Sequence, residues 1–258
     1  MQRRRIIELF AASAASFWAR QQLPASALVA SAPAGTTGKA WPPIAPARQD
    51  SPASEPLLPL FPLPVVLFPR AILPLHIFEE RYKEMIRDCL QNRWEFGILL
   101  VHRQSLEQIG CTASISELIR RYPDGEMDIL VRGQRRFEIS LLNEEKSYLR
   151  GKPQFLEDYE TEPPAEALRR QAIQLNARLM ELLASKDPSS REPAPTFSDA
   201  QVSFQIMAAL PADVSWKQDL LELRSERERL VRVIRYLQRV IAYLERGAPD
   251  PPAPAGTV

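Results

Sequence analysis

Four side chains in the sequence have the chemistry to bind a metal ion: Cys89, Cys111, His76 and His102. Structural zinc sites usually take their ligands as close pairs, such as two cysteines separated by only a few residues. These four residues lie on separate stretches of the chain and form no such pair. We therefore expect no metal and no cofactor. The cysteines should be packed, with one histidine packed or capping and the other at the surface.

A hydrolytic site would need a nucleophile beside a base, or paired carboxylates in a cleft. Neither histidine lies in a nucleophile motif of the type G-x-S-x-G. The carboxylates of Glu79, Glu80 and Asp88 occur in a predicted helical segment, where they are typical of surface charges. The sequence thus predicts no catalytic residues.

Residues 35–40 read Gly-Thr-Thr-Gly-Lys-Ala and partly match a phosphate-binding loop. The motif requires the pattern G-x-x-x-x-G-K-[ST]. Here only two residues separate the glycines, and Ala40 has no hydroxyl to bind magnesium. This segment is therefore not expected to bind a nucleotide.

The first 55 residues differ in composition from the rest, since they are rich in Ala, Ser and Pro. Such a segment cannot bury enough apolar surface to offset its ordering entropy, so residues 1–55 and the Pro-rich residues 247–258 are predicted to be disordered. Residues 1–20 weakly resemble an export signal, with arginines before a short apolar run that Glu8 interrupts. A cytoplasmic location is the expectation, which two cysteines suit, and export is its alternative.

Residues 56–160 carry β-strand signals. Three short apolar runs separated by prolines lie at 57–61, 65–68 and 71–77. Prolines are confined mainly to strand ends, edges and bulges, which favours short, bent strands at the rim of a barrel-like sheet. Helical periodicity follows over residues 78–90. A Pro-Asp-Gly turn at 123–125 predicts a hairpin, and Gly133 predicts a bulge in its second strand.

Residues 161–246 carry helical signals. Leucines recur at helical spacing over 168–182, and apolar residues do so over 223–244, with a shorter helix predicted over 198–210. Ser215 and Ser225 each begin a capping-box pattern. The two long stripes are too short for a typical coiled coil and favour two helices of one bundle.

Several segments resemble, in order over residues 57–245, the substrate-binding N-terminal domain of Lon proteases. They read LFPLPVVLFP at 60–69, LPLHIFEERY at 73–82, FGI at 96–98, DG…DILV.G..RF at 124–137 and KQ.LLE at 217–222. The chain departs from the family pattern at Arg70, where glycine is common, and at residues 109–112, which read Ile-Gly-Cys-Thr.

The resemblance implies an α+β fold, with a PUA-like β pseudo-barrel subdomain followed by a helical bundle subdomain. It also implies a non-catalytic module that binds unfolded or tagged polypeptides, or assists a protease partner. No ATPase or Ser–Lys protease motif follows, so no enzymatic activity is expected. Phe61, Phe68 and Phe78 are candidate peptide contacts, but core packing is the favoured explanation of each, so no peptide-binding residue is assigned.

RNA binding is the alternative function, because the Lon domain's barrel is similar to the PUA-like barrels of RNA-binding proteins. Five arginines on and before the second hairpin strand could form a basic patch: Arg120, Arg121, Arg132, Arg135 and Arg136. A solvated hairpin face explains them as well. The chain has 33 basic and 32 acidic residues, so its net charge of +1 lacks the excess that usually drives nucleic-acid binding.

Overall fold

The computed structural model describes residues 57–103, 105–159, 166–186, 197, 201–210 and 212–246 of the 258-residue chain. The predictions for residues 1–55, including the export alternative, and for residues 247–258 lie outside this described part. Its strands are β1 (Leu58–Leu63), β2 (Ile72–Ile77), β3 (Phe96–His102), β4 (Ser105–Arg121), β5 (Met127–Asn143) and β6 (Arg150–Phe155). Its helices are α1 (Glu80–Asn92), α2 (Glu166–Lys186), α3 (Val202–Ala209), α4 (Val214–Glu222) and α5 (Glu226–Arg246).

The six strands form one mixed sheet in the order β2-β5-β4-β3-β1-β6. The first half of β5 lies antiparallel to β2, and its second half lies antiparallel to β6. Because β6 also pairs with β1, the strands β5, β4, β3, β1 and β6 close into a barrel, and β2 extends the sheet at one side. The predicted α+β class, with a barrel-like part and a helical part, is confirmed.

Residues 65–68, which were predicted to be a strand, form none. Pro64 and Pro69 flank them and lack the N–H donors that strand pairing uses. Leu67 and Phe68 are instead buried beside a turn in which Arg70 adopts a φ of 67°. This left-handed conformation is one that glycine adopts without strain, which accounts for the glycine common at this position in the family pattern.

Gly133 brings β5 against that turn. Its carbonyl oxygen accepts a hydrogen bond from the backbone N–H of Arg70 at 2.7 Å. A Cβ at this position would lie 2.1 Å from the carbonyl oxygen of Phe68, so the close approach requires glycine. The β4–β5 register shifts between Cys111 and Ala113, opposite this point, which confirms the predicted bulge.

The two long helices pack on each other, as predicted for a bundle, and Arg178 of α2 forms a 3.2 Å ion pair with Glu245 of α5. The extent of helix α4 was not predicted, although a capping-box pattern was noted at Ser215. The carboxylate of Asp213 caps it by accepting a hydrogen bond from the N–H of Ser215 at 2.9 Å, so the predicted cap at Ser215 is wrong. The predicted cap at Ser225 is confirmed by a 3.1 Å hydrogen bond from the backbone N–H of the third residue after it.

The barrel and the helices share one hydrophobic core. Its buried residues come from α1 and the barrel, such as Met85 and Ile129, and equally from the later helices, such as Leu179 and Leu237. Asp158, just after β6, joins the two halves by accepting hydrogen bonds from Arg136 of β5 at 2.5 Å and Arg229 of α5 at 2.6 Å. The predicted subdomain boundary near residue 160 stays a prediction, because residues 160–165 are not among those described.

None of the described helices combines the length and apolarity needed to cross a bilayer.

Candidate functional site

The two cysteines are buried, and the described residues contain no group of His, Cys, Asp and Glu side chains that could hold a metal ion. Burial raises the pKa of the Cys89 thiol to about 12 and also raises that of Cys111. A thiol is nucleophilic and metal-binding only as the thiolate, so both cysteines stay protonated and unreactive at neutral pH. The imidazole Nε2 of His102 is buried.

His76 lies at the surface, at the centre of a polar cluster on β2 and the β4–β5 hairpin. Its Nδ1 is 2.7 Å from Asp128 Oδ1, and its Nε2 is 3.3 Å from Glu126 Oε2. The Tyr122 hydroxyl donates to Asp128 Oδ2 at 2.8 Å, and the Phe78 ring stacks 6.0 Å from the imidazole. The hydrogen bond to Asp128 is the main reason that the pKa of His76 is raised. The cluster therefore joins β2 to the hairpin.

The three candidate aromatic residues separate clearly by burial. Phe61 is 5% exposed and lies 4.2 Å from the Tyr82 ring, and Phe68 is 1% exposed and stacks 5.4 Å from the Phe204 ring. Both belong to the core. Phe78 is 58% exposed, beside the His76 cluster, and is the one candidate of the three that can contact a ligand.

The second half of β4 is an open sheet edge. Within the described residues, β3 pairs with β4 only from residue 105 to Ala113, whereas β5 pairs with β4 as far as Arg121. All six residues from 116 to 121 are exposed, including Leu118 at 38% and Ile119 at 50%. We call residues 116–121 the hairpin edge; they read Ser-Glu-Leu-Ile-Arg-Arg.

The hairpin edge is exposed because β4 continues past the barrel. The strand partner β5 buries Met127, Ile129 and Val131 in the core, whereas residues 116–121 of β4, which pair beside them, are exposed. Register shifts within residues 115–120 twist the strand further. Bulges and charged side chains discourage indiscriminate pairing along such an edge, while its unpaired backbone donors and acceptors remain for an extended chain that matches it. The other edge strand, β2, contains Pro74 and is less suited to this pairing.

A second exposed apolar pair, Leu141 and Leu142, lies near the end of β5. Leu142 is in register with Gly151 of β6, and the pairing with β6 continues to Asn143. Within the described residues, β5 is not paired with β4 beyond Glu138, so this segment also has one open side. The open stretch of β4, from Ala113 to Arg121, is the longer of the two.

The five arginines of the RNA-binding alternative do not form one patch. Arg136 is buried and donates hydrogen bonds to the Leu221 carbonyl at 2.8 Å and to Asp158. Arg120 lies nine residues along β4 from the position paired with Arg136, a distance of about 30 Å in an extended strand. The arrangement excludes Arg136 from any surface patch, and nothing in it favours the RNA-binding alternative.

The family model for the "ATP-dependent protease La (LON) substrate-binding domain" matches residues 57–239. Lon protease 2 of Herpetosiphon aurantiacus is 29% identical over 201 residues, which cover 73% of this chain and 24% of that protein. The Lon protease of Escherichia coli K12 is 25% identical over 199 residues, covering 73% of this chain and 25% of that protein. The chain thus spans about a quarter of the length of these relatives.

Two solved structures share the fold. The Lon N-terminal domain protein from Xanthomonas campestris has a TM-score of 0.56 at 24% identity, covering 70% of this chain and 98% of that one. The N-terminal domain of the Mycobacterium avium complex Lon protease has a TM-score of 0.53 at 15% identity, covering 71% of this chain and 98% of that one.

Proposed function

This chain belongs to the ATP-dependent protease La (LON) substrate-binding domain family, and from that premise we propose that it binds polypeptide substrates through the hairpin edge. The proposed role is binding without chemistry, so that a protease partner would cleave what the domain captures. The reducing cytoplasm is the proposed location, which the two free, buried cysteines suit.

The single observation that carries the proposal is the combination found on β4: an open backbone edge with Leu118 and Ile119 exposed on it. Extended peptides add to open sheet edges through main-chain hydrogen bonds, while side-chain contacts provide selectivity. Unfolded polypeptides expose both free backbone and apolar side chains, whereas folded proteins hide most of both. The edge therefore suits unfolded segments as ligands.

The expected affinity is modest. Covering the exposed surfaces of Leu118 and Ile119 contributes about 2 kcal/mol, and each main-chain hydrogen bond contributes about 1 kcal/mol. Ordering the peptide and the loss of its free motion oppose these terms. Weak, reversible capture is appropriate for a domain that must release its substrate.

The test measures binding of a fluorescently labelled, permanently unfolded protein, such as reduced and carboxymethylated α-lactalbumin, by anisotropy. The double variant Leu118→Ser/Ile119→Ser is expected to weaken binding by more than about tenfold, because both apolar contacts are lost. The control is Leu141→Ser/Leu142→Ser, which removes a pair of leucines that are 55% and 51% exposed from another part of the sheet. Equal losses in both variants, or unchanged binding in the first, would contradict the proposal.

A further inference from the structure

The hairpin edge is asymmetric in charge along its length. Glu117 precedes the apolar pair Leu118–Ile119, and Arg120 and Arg121 follow it. We propose that the edge selects extended segments in which acidic residues precede two apolar residues, bound antiparallel to β4. This inference rests on the proposed function and names the class of substrate that the same edge prefers.

The two arginines are available to an incoming chain. Within the described residues, no carboxylate lies within ion-pair distance of Arg120 or Arg121. Asp128, the strand neighbour of Arg120, is hydrogen-bonded to His76 and Tyr122, and the charge of Arg120 acts on it only as a lesser cause of its lowered pKa. The guanidinium of Arg120 lies 4.6 Å from the centre of the Tyr122 ring, which holds it at the edge. Two positive charges therefore meet any chain that pairs here.

Antiparallel pairing fixes the order of the preferred residues. An added strand runs opposite to β4, so its residues opposite Arg121 and Arg120 come first, and those opposite Ile119 and Leu118 follow. The residue opposite Glu117 comes last. The preferred segment, written from its N-terminus, is acidic-acidic-apolar-apolar-basic.

Charge pairs directly opposite each other on neighbouring strands are modest in strength, and like charges are unfavourable by a similar amount. Each pair is expected to change the affinity by roughly two- to fivefold. With the pairs at Arg120 and Arg121 combined, an acidic-first segment should bind about tenfold more tightly than a basic-first one. The contrast should shrink at high salt, because the charges are exposed.

The experiment compares peptides of equal length, with Gly-Ser flanks, by competition against the labelled unfolded protein. Their central segments are Glu-Glu-Val-Val-Lys, the charge-swapped Lys-Lys-Val-Val-Glu, the reversed Lys-Val-Val-Glu-Glu and the neutral Gln-Gln-Val-Val-Gln. The expected order places the first peptide tightest and the charge-swapped peptide weakest at low salt. Equal affinity of the first and reversed peptides would overturn the antiparallel register. Equal affinity of the first and charge-swapped peptides would overturn the charge preference.

The neutral peptide separates this inference from the proposed function. If it binds in a manner sensitive to Leu118→Ser/Ile119→Ser while charge has no effect, only the charge preference fails. If no peptide binds, the proposed function fails as well.

Charge reversal on the protein provides the second arm of the test. Arg120→Glu/Arg121→Glu should reverse the preference, so that Lys-Lys-Val-Val-Glu binds more tightly than Glu-Glu-Val-Val-Lys. Arg235→Glu/Arg239→Glu is the matched control, since it makes the same change in net charge on the exposed face of α5 and should leave the preference unaltered. Circular dichroism confirms that both variants fold. A preference that stays the same in the first variant, or shifts equally in both, would overturn the inference.

Discussion

At the scale of single residues, His76 shows how a side chain suited to chemistry is used for structure. Both its nitrogens face carboxylates, those of Asp128 and Glu126, and the imidazole is directly in register with Asp128 across the β2–β5 pair. The charged imidazole can donate to both carboxylates, whereas the neutral ring has one donor only. The cluster is therefore strongest when His76 is protonated and Asp128 is ionised.

The signs of the two pKa shifts define a pH window. Hydrogen bonding to Asp128 raises the pKa of His76 in the folded protein above its ordinary 6.5. The stability that the protonated His76 contributes is therefore complete below pH 6.5 and is lost as the pH rises through the raised pKa of the folded state. Hydrogen bonding to His76, then to Tyr122, lowers the pKa of Asp128 from 3.8. Its contribution is present above 3.8 and is lost as the pH falls through the lowered value.

We predict that Asp128→Asn lowers the pKa of His76, measured by NMR titration of the imidazole protons, because the main hydrogen-bonding partner loses its charge. Glu126→Gln should lower it less, since Glu126 is the more distant partner. An unchanged His76 titration in Asp128→Asn would show that the contact does not control the imidazole.

At the scale of elements, the sequence predicted those parts whose signals are local. Helix α1 has a clear apolar face, and the Pro-Asp-Gly turn at 123–125 marks the hairpin, where Gly125 has a φ of 86°. The capping-box pattern at Ser215 lies only two residues from the true cap of α4, Asp213, but the nine-residue helix is too short to show a clear apolar period, and Leu223, the predicted start of the last helix, is extended. The hairpin edge was also missed, because nothing in its residue pattern shows where pairing with β3 stops.

Strand β5 approaches the turn at Phe68 closely because residue 133 is glycine. Gly133→Ala should lower the free energy of unfolding by about 2 kcal/mol or more, because the added Cβ meets the Phe68 carbonyl oxygen and one of the two backbones must move. Urea denaturation provides the measurement. Gly125→Asn is the control and should cost less, since asparagine tolerates a positive φ and the Cβ has room there. Equal stability of Gly133→Ala and the parent protein would contradict the predicted steric conflict.

At the scale of the whole molecule, buried charges join the barrel to the helices. The guanidinium of Arg229 is fully buried and donates to Asp158 at 2.8 and 2.6 Å and to Glu226 at 2.8 Å. The Glu226–Arg229 pair is local, three residues apart on one helix, but Asp158 lies 71 residues from Arg229 and meets it only in the folded chain, which no periodicity in the sequence could reveal. The same limit applies to the shared hydrophobic core, which unites two halves that the sequence shows as separate.

Arg229→Met is predicted to lower the free energy of unfolding by about 3 to 5 kcal/mol, because it leaves Asp158 and Glu226 without their shared cation in a buried setting. Arg235→Met, on the exposed side of the same helix, should change it by less than about 0.5 kcal/mol. Thermal and urea unfolding of both variants gives the comparison, and similar stabilities would show that the buried network contributes little.

The central claim is that polypeptides bind at the hairpin edge, and hydrogen–deuterium exchange with and without an unfolded protein tests it most directly. The amides of residues 116–121 that face away from β5 should exchange more slowly when the unfolded protein is bound, because an added strand accepts their hydrogen bonds. The amides of α5 should be unaffected, and Leu118→Ser/Ile119→Ser should abolish the protection. Saturable binding that leaves the exchange of residues 116–121 unchanged would contradict the claim.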